Sequence, residues 1–326
     1  MKAILISEHG GVEVLKYTEV DTPAPEAAEI LIKVAATTAA YADTRMRAGN
    51  YPMIPPLPFI PGFQASGIVS EIGDDVPNHW LGQRVIFNGP RTNAEYVACA
   101  TSLATIVPKQ IDLSAAALIP NRYVTAYHLL HTAAKAVAGQ TVVVYAAAGG
   151  IGTALVQLAK HEGLTVIAMA SGADKCAFAQ SQGADHVLDY TKENVPEAVQ
   201  DMTDGRGVDL VLNPVLGDTL ADDFAMLAPH GQTVIYGIVQ GLPRINVMEA
   251  MLEHMLKSLT LRQFSLGTLM QHEPEKILQT QEELLSLMAA GKITPQICAR
   301  IPLPEIGKAH EVIEARELMG NVLLEP

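Results

Sequence analysis

The sequence predicts an α/β protein: a doubly wound parallel sheet inserted between two parts of a domain built as a partly open β-barrel. Three observations carry this expectation. From about residue 141, short apolar strands alternate with helix-length segments, the pattern of parallel βαβ units. At the first of those strands, Val142-Val143-Val144-Tyr145-Ala146-Ala147-Ala148-Gly149-Gly150-Ile151-Gly152-Thr153-Ala154 runs from a β-branched strand through a turn of small residues into a helix. On either side of this region, short strands are separated by Gly and Pro, as in compact barrels.

In chain order, Lys2–Ser7 and Glu29–Ala35 read as strands, joined through the connector Asp21-Thr22-Pro23-Ala24-Pro25. Tyr41 to Pro52 reads as a short helical turn running into a loop, and Pro52, Pro55, Pro56, Pro58 and Pro61 forbid regular structure beyond it. Strands follow at Ala65–Ile72, Arg84–Asn88 and Ala94–Cys99. Val124–Ala138 is predicted helical. Strands are then predicted at 141–146, 164–170, 185–189, 208–213 and 232–237, with helices at 150–162, 173–182, 193–203 and 217–228. Asn246–Ser258 reads as a helix, Leu259–Phe264 as a strand, Glu275–Ala290 and Glu305–Leu318 as helices, and Val322–Leu324 as a final strand. The tail is read as rejoining the first domain. The expected boundaries are 1–121, 122–264 for the inserted sheet, and 265–326 for the return.

Composition narrows the function. A net charge of −13 argues against nucleic acid and against an anionic membrane surface as partners. Cys99, Cys176 and Cys298 are odd in number and far apart, so neither a disulfide framework nor a CxxC metal knuckle is expected. The opening residues are too soon interrupted by charge for a signal peptide, and no apolar run reaches spanning length. A cytoplasmic protein is the expectation.

The strand, small-residue turn and helix start form the geometry of a pyrophosphate site. Gly149, Gly150, Ile151 and Gly152 would present backbone N–H groups and the helix dipole to the anion, with no Cβ blocking the approach at the glycines. The second strand ends Ala168-Met169-Ala170-Ser171-Gly172, with no acid at its tip to bond the ribose hydroxyls. Ser171 and Lys175 are placed to hold a 2′-phosphate, with Tyr190 on the adenosine side, which favours NADPH. The alternative makes Ser171 a helix cap and Lys175 a solvated face.

These residues carry a resemblance. With Met1-Lys2-Ala3-Ile4, Asp43–Tyr51, Pro61-Gly62-Phe63-Gln64-Ala65-Ser66-Gly67-Ile68-Val69, Gln182-Gly183-Ala184-Asp185 and Gly320-Asn321-Val322-Leu323-Leu324, the chain resembles zinc-independent medium-chain dehydrogenases/reductases of the quinone oxidoreductase, or zeta-crystallin-like, branch. The resemblance spans the whole length. It implies a Rossmann domain inserted into a GroES-like domain, NADPH as cofactor, a small-molecule quinone or enone substrate, and a homodimer or tetramer. It adds Thr125, Asn213 and Tyr236 to the cofactor-binding candidates, and it puts Asp43, Arg45 and Tyr51 on the catalytic side. Zinc-dependent relatives carry Cys near position 40 and Gly-His-Glu at the site of Gly62-Phe63-Gln64; here Ala40, Phe63 and Gln64 stand there, so no metal is expected.

Tyr51 is the expected proton donor; the alternative is a loop aromatic covering the barrel. Relatives usually have Asn at Ala40, Tyr at Arg45, Glu at Gln64 and often Asp at Asn213. The guanidinium of Arg45 either favours an anionic substrate or is paired with Asp43 or solvent. The leading expectation is hydride transfer to a quinone or α,β-unsaturated carbonyl. An enoyl-thioester reductase and a non-catalytic NADPH-binding protein are the alternatives.

Overall fold

The tail of the chain rejoins its start. The computed structural model describes residues 1–326. One unit comprises Met1–Val124 and Glu273–Pro326, the other Thr125–His272.

The first unit holds strands β1 (Lys2–Leu5), β2 (Lys16–Glu19), β3 (Glu29–Thr38), β4 (Gln64–Ile72), β5 (Arg84–Asn88), β6 (Tyr96–Ala100) and β7 (Ala104–Ile106). After the second unit's six strands, β14 (Ile297–Pro302) and β15 (Asn321–Glu325) complete it. Its main sheet runs β14-β15-β3-β4-β5-β7, with β6 also on β3. Leu323 and Leu324 of β15 pair antiparallel with Thr38 and Thr37, which is how the tail closes onto the N-terminal strands. Alternation along β3 sends Ile30, Ile32 and Val34 to one face, where they bury against Ala65, Val69, Val85, Phe87, Val97 and Cys99. Each such fully buried aliphatic side chain contributes about 1.5–3 kcal/mol.

The second unit is a six-stranded parallel sheet: β8 (Thr141–Val144), β9 (Thr165–Ala170), β10 (His186–Asp189), β11 (Val208–Asn213), β12 (Leu227–Ile235) and β13 (Thr260–Gln263). The order β10-β9-β8-β11-β12-β13 means the chain builds outward from β8 in one direction, then from β11 in the other. The switch lies between β8 and β11, and ligands bind such sheets at the carboxyl ends of the strands flanking it. Val143, Ile167, Met169, Val211 and Phe224 share one buried cluster under the helices.

Several elements differ from the sequence expectation. β2, β7 and β14 were not expected as strands. The helix expected at Val124–Ala138 is α-helical only over Val124–His128. It is preceded by a π-turn at Ile119–Tyr123, followed by another at Leu129–Ala134, and closed by Lys135 in the left-handed region. The helix expected at Asn246–Ser258 stops at Leu252, capped at its start by Asn246 and followed by a 3-10 turn at Met255–Lys257. An additional helix, Leu266–His272, follows β13. No helix is long and apolar enough to cross a membrane.

Candidate functional site

The turn after β8 is built from backbone contacts. Ala146 takes a left-handed conformation, φ 50°, and Gly149 N–H returns to Ala146 O at 2.9 Å. Ala147 N–H reaches across to Met169 O of β9 at 3.0 Å. The helix Gly150–His161 then begins without a side-chain cap. Its first ladder bond is Thr153 N–H to Gly149 O at 2.8 Å, so the N–H groups of Gly150, Ile151 and Gly152 make no backbone bond and remain available to an anion. Gly152 is required by packing. A Cβ there would stand 2.1 Å from Ala146 O and 2.7 Å from Ala147 Cα.

At the tip of β9, Lys175 Nζ donates to Ser171 Oγ at 3.4 Å. Gly172, φ 78°, is the residue that caps the following helix Ala173–Ser181, so Ser171 is not its N-cap. Asp189, at the end of β10, is bonded back onto this tip through its Oδ1. It accepts from the Thr191 hydroxyl at 2.6 Å, from Gly172 N–H at 3.0 Å and from Thr191 N–H at 3.1 Å. Those bonds, the hydroxyl's first, hold its pKa down to about 2. Asp174 is exposed on the first helical turn. Tyr190 is exposed beside this tip, its N–H bonded to Ala170 O at 3.2 Å.

Thr125 is buried in the helix that opens this unit. Tyr236 is half-buried just beyond β12, with its N–H on Asn213 O at 3.1 Å; burial raises its phenol's pKa. Asn213 is fully buried, and its whole side chain is engaged inside the unit. Oδ1 accepts from Val215 and Leu216 N–H, while Nδ2 donates to Thr219 and Asp223. Every donor and acceptor of that side chain is matched within the unit.

In the first unit, the helix Tyr41–Arg47 carries three charged residues in three settings. Asp43 is buried, and its Oδ2 accepts from Ala40 N–H at 2.7 Å, closing the helix N-terminus. Burial lifts its pKa to about 6, opposed by the Ala40 bond and the Arg122 guanidinium. Arg122 in turn donates to Ala39 O at 3.1 Å, so the two residues grip the same segment. Arg47 is also buried, bonded to Gly10 O, to His310 and, at 2.6 Å, to Glu314. Arg45 is half-buried and makes no ion pair. The expected alternative of an Arg45–Asp43 pair is therefore not formed.

Asn50 N–H bonds Arg45 O at 2.8 Å, which folds the following loop back and places Tyr51 beside this helix. Tyr51 packs half-buried against Ile6, Met46 and Phe59. Burial, then the charge of Asp43, raises its pKa. Gln64 donates to Thr38 Oγ1 and accepts from Asn121 N–H, both at 2.9 Å. No group of three or more His, Cys, Asp or Glu side chains is placed to hold a metal. His128 bonds Thr132, and His131 faces Glu162 at 3.6 Å. Sequence reasoning missed Arg122, Arg47 and Asp223, whose partners lie far along the chain or on another element.

Comparison with known proteins adds the following. A family model described as "Alcohol dehydrogenase GroES-like domain" matches residues 26–115, and one described as "Zinc-binding dehydrogenase" matches residues 150–283. A quinone oxidoreductase of Pseudomonas aeruginosa is 32% identical, covering 100% of this chain and 99% of that protein. A 2-haloacrylate reductase of a Burkholderia species is 30% identical, covering 99% and 98%. The structure of Escherichia coli quinone oxidoreductase complexed with NADPH superimposes with a TM-score of 0.93 at 30% identity, covering 100% of both chains.

Proposed function

This chain belongs to the quinone oxidoreductase family of the medium-chain dehydrogenases/reductases, and on that premise we propose that it is an NADPH-dependent reductase of quinones and other α,β-unsaturated carbonyl compounds. The observation that carries the proposal is the pairing of two features at the carboxyl edge of one sheet. One is the set of unused N–H donors at Gly150, Ile151 and Gly152; the other is a β9 tip where Ser171 and Lys175 are in contact and Asp189 is bonded back onto Gly172. A pyrophosphate fits the first and a 2′-phosphate the second.

Bound NADPH supplies the hydride. The acceptor's conjugated carbonyl takes up the resulting charge and must be protonated. Tyr51 is the proposed donor. Burial and the neighbouring Asp43 keep its phenol protonated, and it gives that proton to the reduced acceptor and recovers one from solvent. Asp43 acts through position, holding the Ala40 segment together with Arg122. Thr125, Tyr190 and Tyr236 complete the proposed cofactor contacts. Arg45, half-buried and without an ion pair, favours an acceptor bearing a carboxylate or other anion. The relative named 2-haloacrylate reductase supports that class.

Purified protein with NADPH and a panel of naphthoquinone, phenanthrenequinone, cyclohexenone and crotonyl-CoA tests the reading through NADPH consumption. Turnover of quinones or cyclohexenone supports it. Turnover of crotonyl-CoA alone would make the protein an enoyl-thioester reductase, and binding without any turnover a non-catalytic NADPH-binding protein.

A homodimer is proposed from one surface. β13 is an edge strand, and Leu242, Met248, Leu252, Met255 and Leu256 are exposed beside it in sequence, Leu256 at 94%. A second copy covers such an edge. Light scattering should give the dimer mass and Leu256→Glu should lower it. Three unpaired cysteines fit the expected cytoplasmic setting.

A further inference from the structure

We propose that Asp223 is a positioning residue for the cofactor: through Tyr145 and Asn213 it fixes the turn after β8 relative to the loops after β11 and β12. The proposal rests on the NADPH reading above. Tyr145 Oη donates to Asp223 Oδ1 at 2.7 Å, and Asn213 Nδ2 donates to Asp223 Oδ2 at 2.7 Å. Tyr145 immediately precedes Ala146, whose carbonyl packs against Gly152. Asn213 closes β11, the strand on the other side of the switch point, and its Oδ1 holds Val215 N–H at 2.7 Å and Leu216 N–H at 3.0 Å.

From there the frame extends to the loop after β12. Tyr236 N–H bonds Asn213 O, Val239 N–H bonds Pro214 O at 3.2 Å and Gln240 N–H bonds Val215 O at 2.9 Å. One carboxylate thus ties together the segment that offers its amides to the pyrophosphate and the segment that carries Tyr236.

Stability alone does not call for a carboxylate here. Asp223 and Asn213 are fully buried and Tyr145 nearly so. Burial, with the charge of Asp222 adding to it, lifts the Asp223 pKa to about 7 against the pull of its two hydrogen bonds. Replacing a buried polar cluster with well-packed apolar residues is often neutral or stabilising. What an apolar side chain cannot do is accept from two donors at the ends of two different strands and so set their spacing. The amide of this pair is on β11 and the carboxylate is on the helix Thr219–Met226.

That arrangement provides the test. Asn213→Asp sets two carboxylates face to face; Asp223→Asn sets two amides face to face. The double variant Asn213→Asp/Asp223→Asn restores one acid and one amide. Affinities are read from NADPH fluorescence and by competition with adenosine 2′-monophosphate, a fragment that carries the 2′-phosphate of the β9 tip and no 5′-phosphate, alongside the thermal midpoint of each protein.

Each single variant is expected to weaken NADPH binding about ten-fold, to leave the fragment within about two-fold, and to be largely rescued in the double variant. Should the single variants fail to fold, Tyr145→Phe removes only one hydroxyl and is expected to weaken NADPH by about three-fold while sparing the fragment. Lower thermal midpoints with unchanged NADPH affinity, equal losses for NADPH and fragment, or a double variant no better than the singles would overturn the positioning role. Wild-type protein that binds no NADPH would overturn the functional reading itself, and the positioning role with it.

Discussion

Gly152→Ala adds one methyl group at the point where helix and turn are closest. Its Cβ would lie 2.1 Å from Ala146 O, 2.7 Å from Ala147 Cα and 2.8 Å from Ala146 C. All three are backbone atoms, so no side chain can swing away. A Cβ on Gly149 would meet the same oxygen at 3.2 Å, a tight contact that real structures do show. Relief at residue 152 therefore needs about 1 Å of movement between the turn and the helix start, and overpacking of this kind costs about 1–3 kcal/mol. The moving atoms include the N–H donors of Gly150, Ile151 and Gly152. A displacement of about 1 Å in such groups lowers kcat/KM by about a hundred-fold. The assay is kcat/KM for NADPH beside a thermal melt, with Gly149→Ala as the milder control. Gly152→Ala protein with wild-type kcat/KM for NADPH would refute the claim that this turn holds the pyrophosphate.

Three further expectations follow from particular side chains. Lys175→Ala should weaken NADPH about ten-fold and leave NADH unchanged, measured by fluorescence titration; equal losses would remove Lys175 from the 2′-phosphate. Arg45→Ala should raise KM about three- to ten-fold for carboxylate-bearing enones and spare neutral ones, and an unchanged profile across the panel would place Arg45 outside the site. His310 is neutral in the fold because burial, then the Arg47 charge, pushes its pKa down to about 3. An unfolded chain takes up that proton near pH 6.5, so stability is full above about 6.5 and is lost as pH falls toward 3. Thermal midpoints across that window should decline in wild type and less steeply in His310→Gln; identical slopes would contradict the assignment.

The parallel sheet was legible because strands buried on both faces read as apolar runs, as in Val142-Val143-Val144, and because glycine marks the turn that follows. β2 was not legible. Its residues Lys16-Tyr17-Thr18-Glu19 are mostly exposed and pair only with β1, so no hydrophobic alternation marks them. β7 is three residues long, too short for any period to show. Nothing local distinguishes Lys135, which ends the broken helix after Ala134.

At the site, position was easier to read than partnership. Arg45 and Arg47 look alike two residues apart. Arg47 is the buried one because His310 and Glu314 meet it from far along the chain. Asn213 was counted among the cofactor contacts from the resemblance alone. The carboxylate that takes its amide comes from a helix whose facing a sequence pattern does not reveal.

In the proposed reaction, hydride passes from NADPH to an activated double bond while Tyr51 supplies the proton. It is tested most directly by reducing cyclohexenone with NADPH deuterated at the transferable position of the nicotinamide. One deuterium is expected on the carbon β to the carbonyl, with Tyr51→Phe slowing turnover while NADPH still binds. Oxidised cofactor with no deuterium in the ketone, or NADPH that binds and is never consumed with any acceptor, would contradict it.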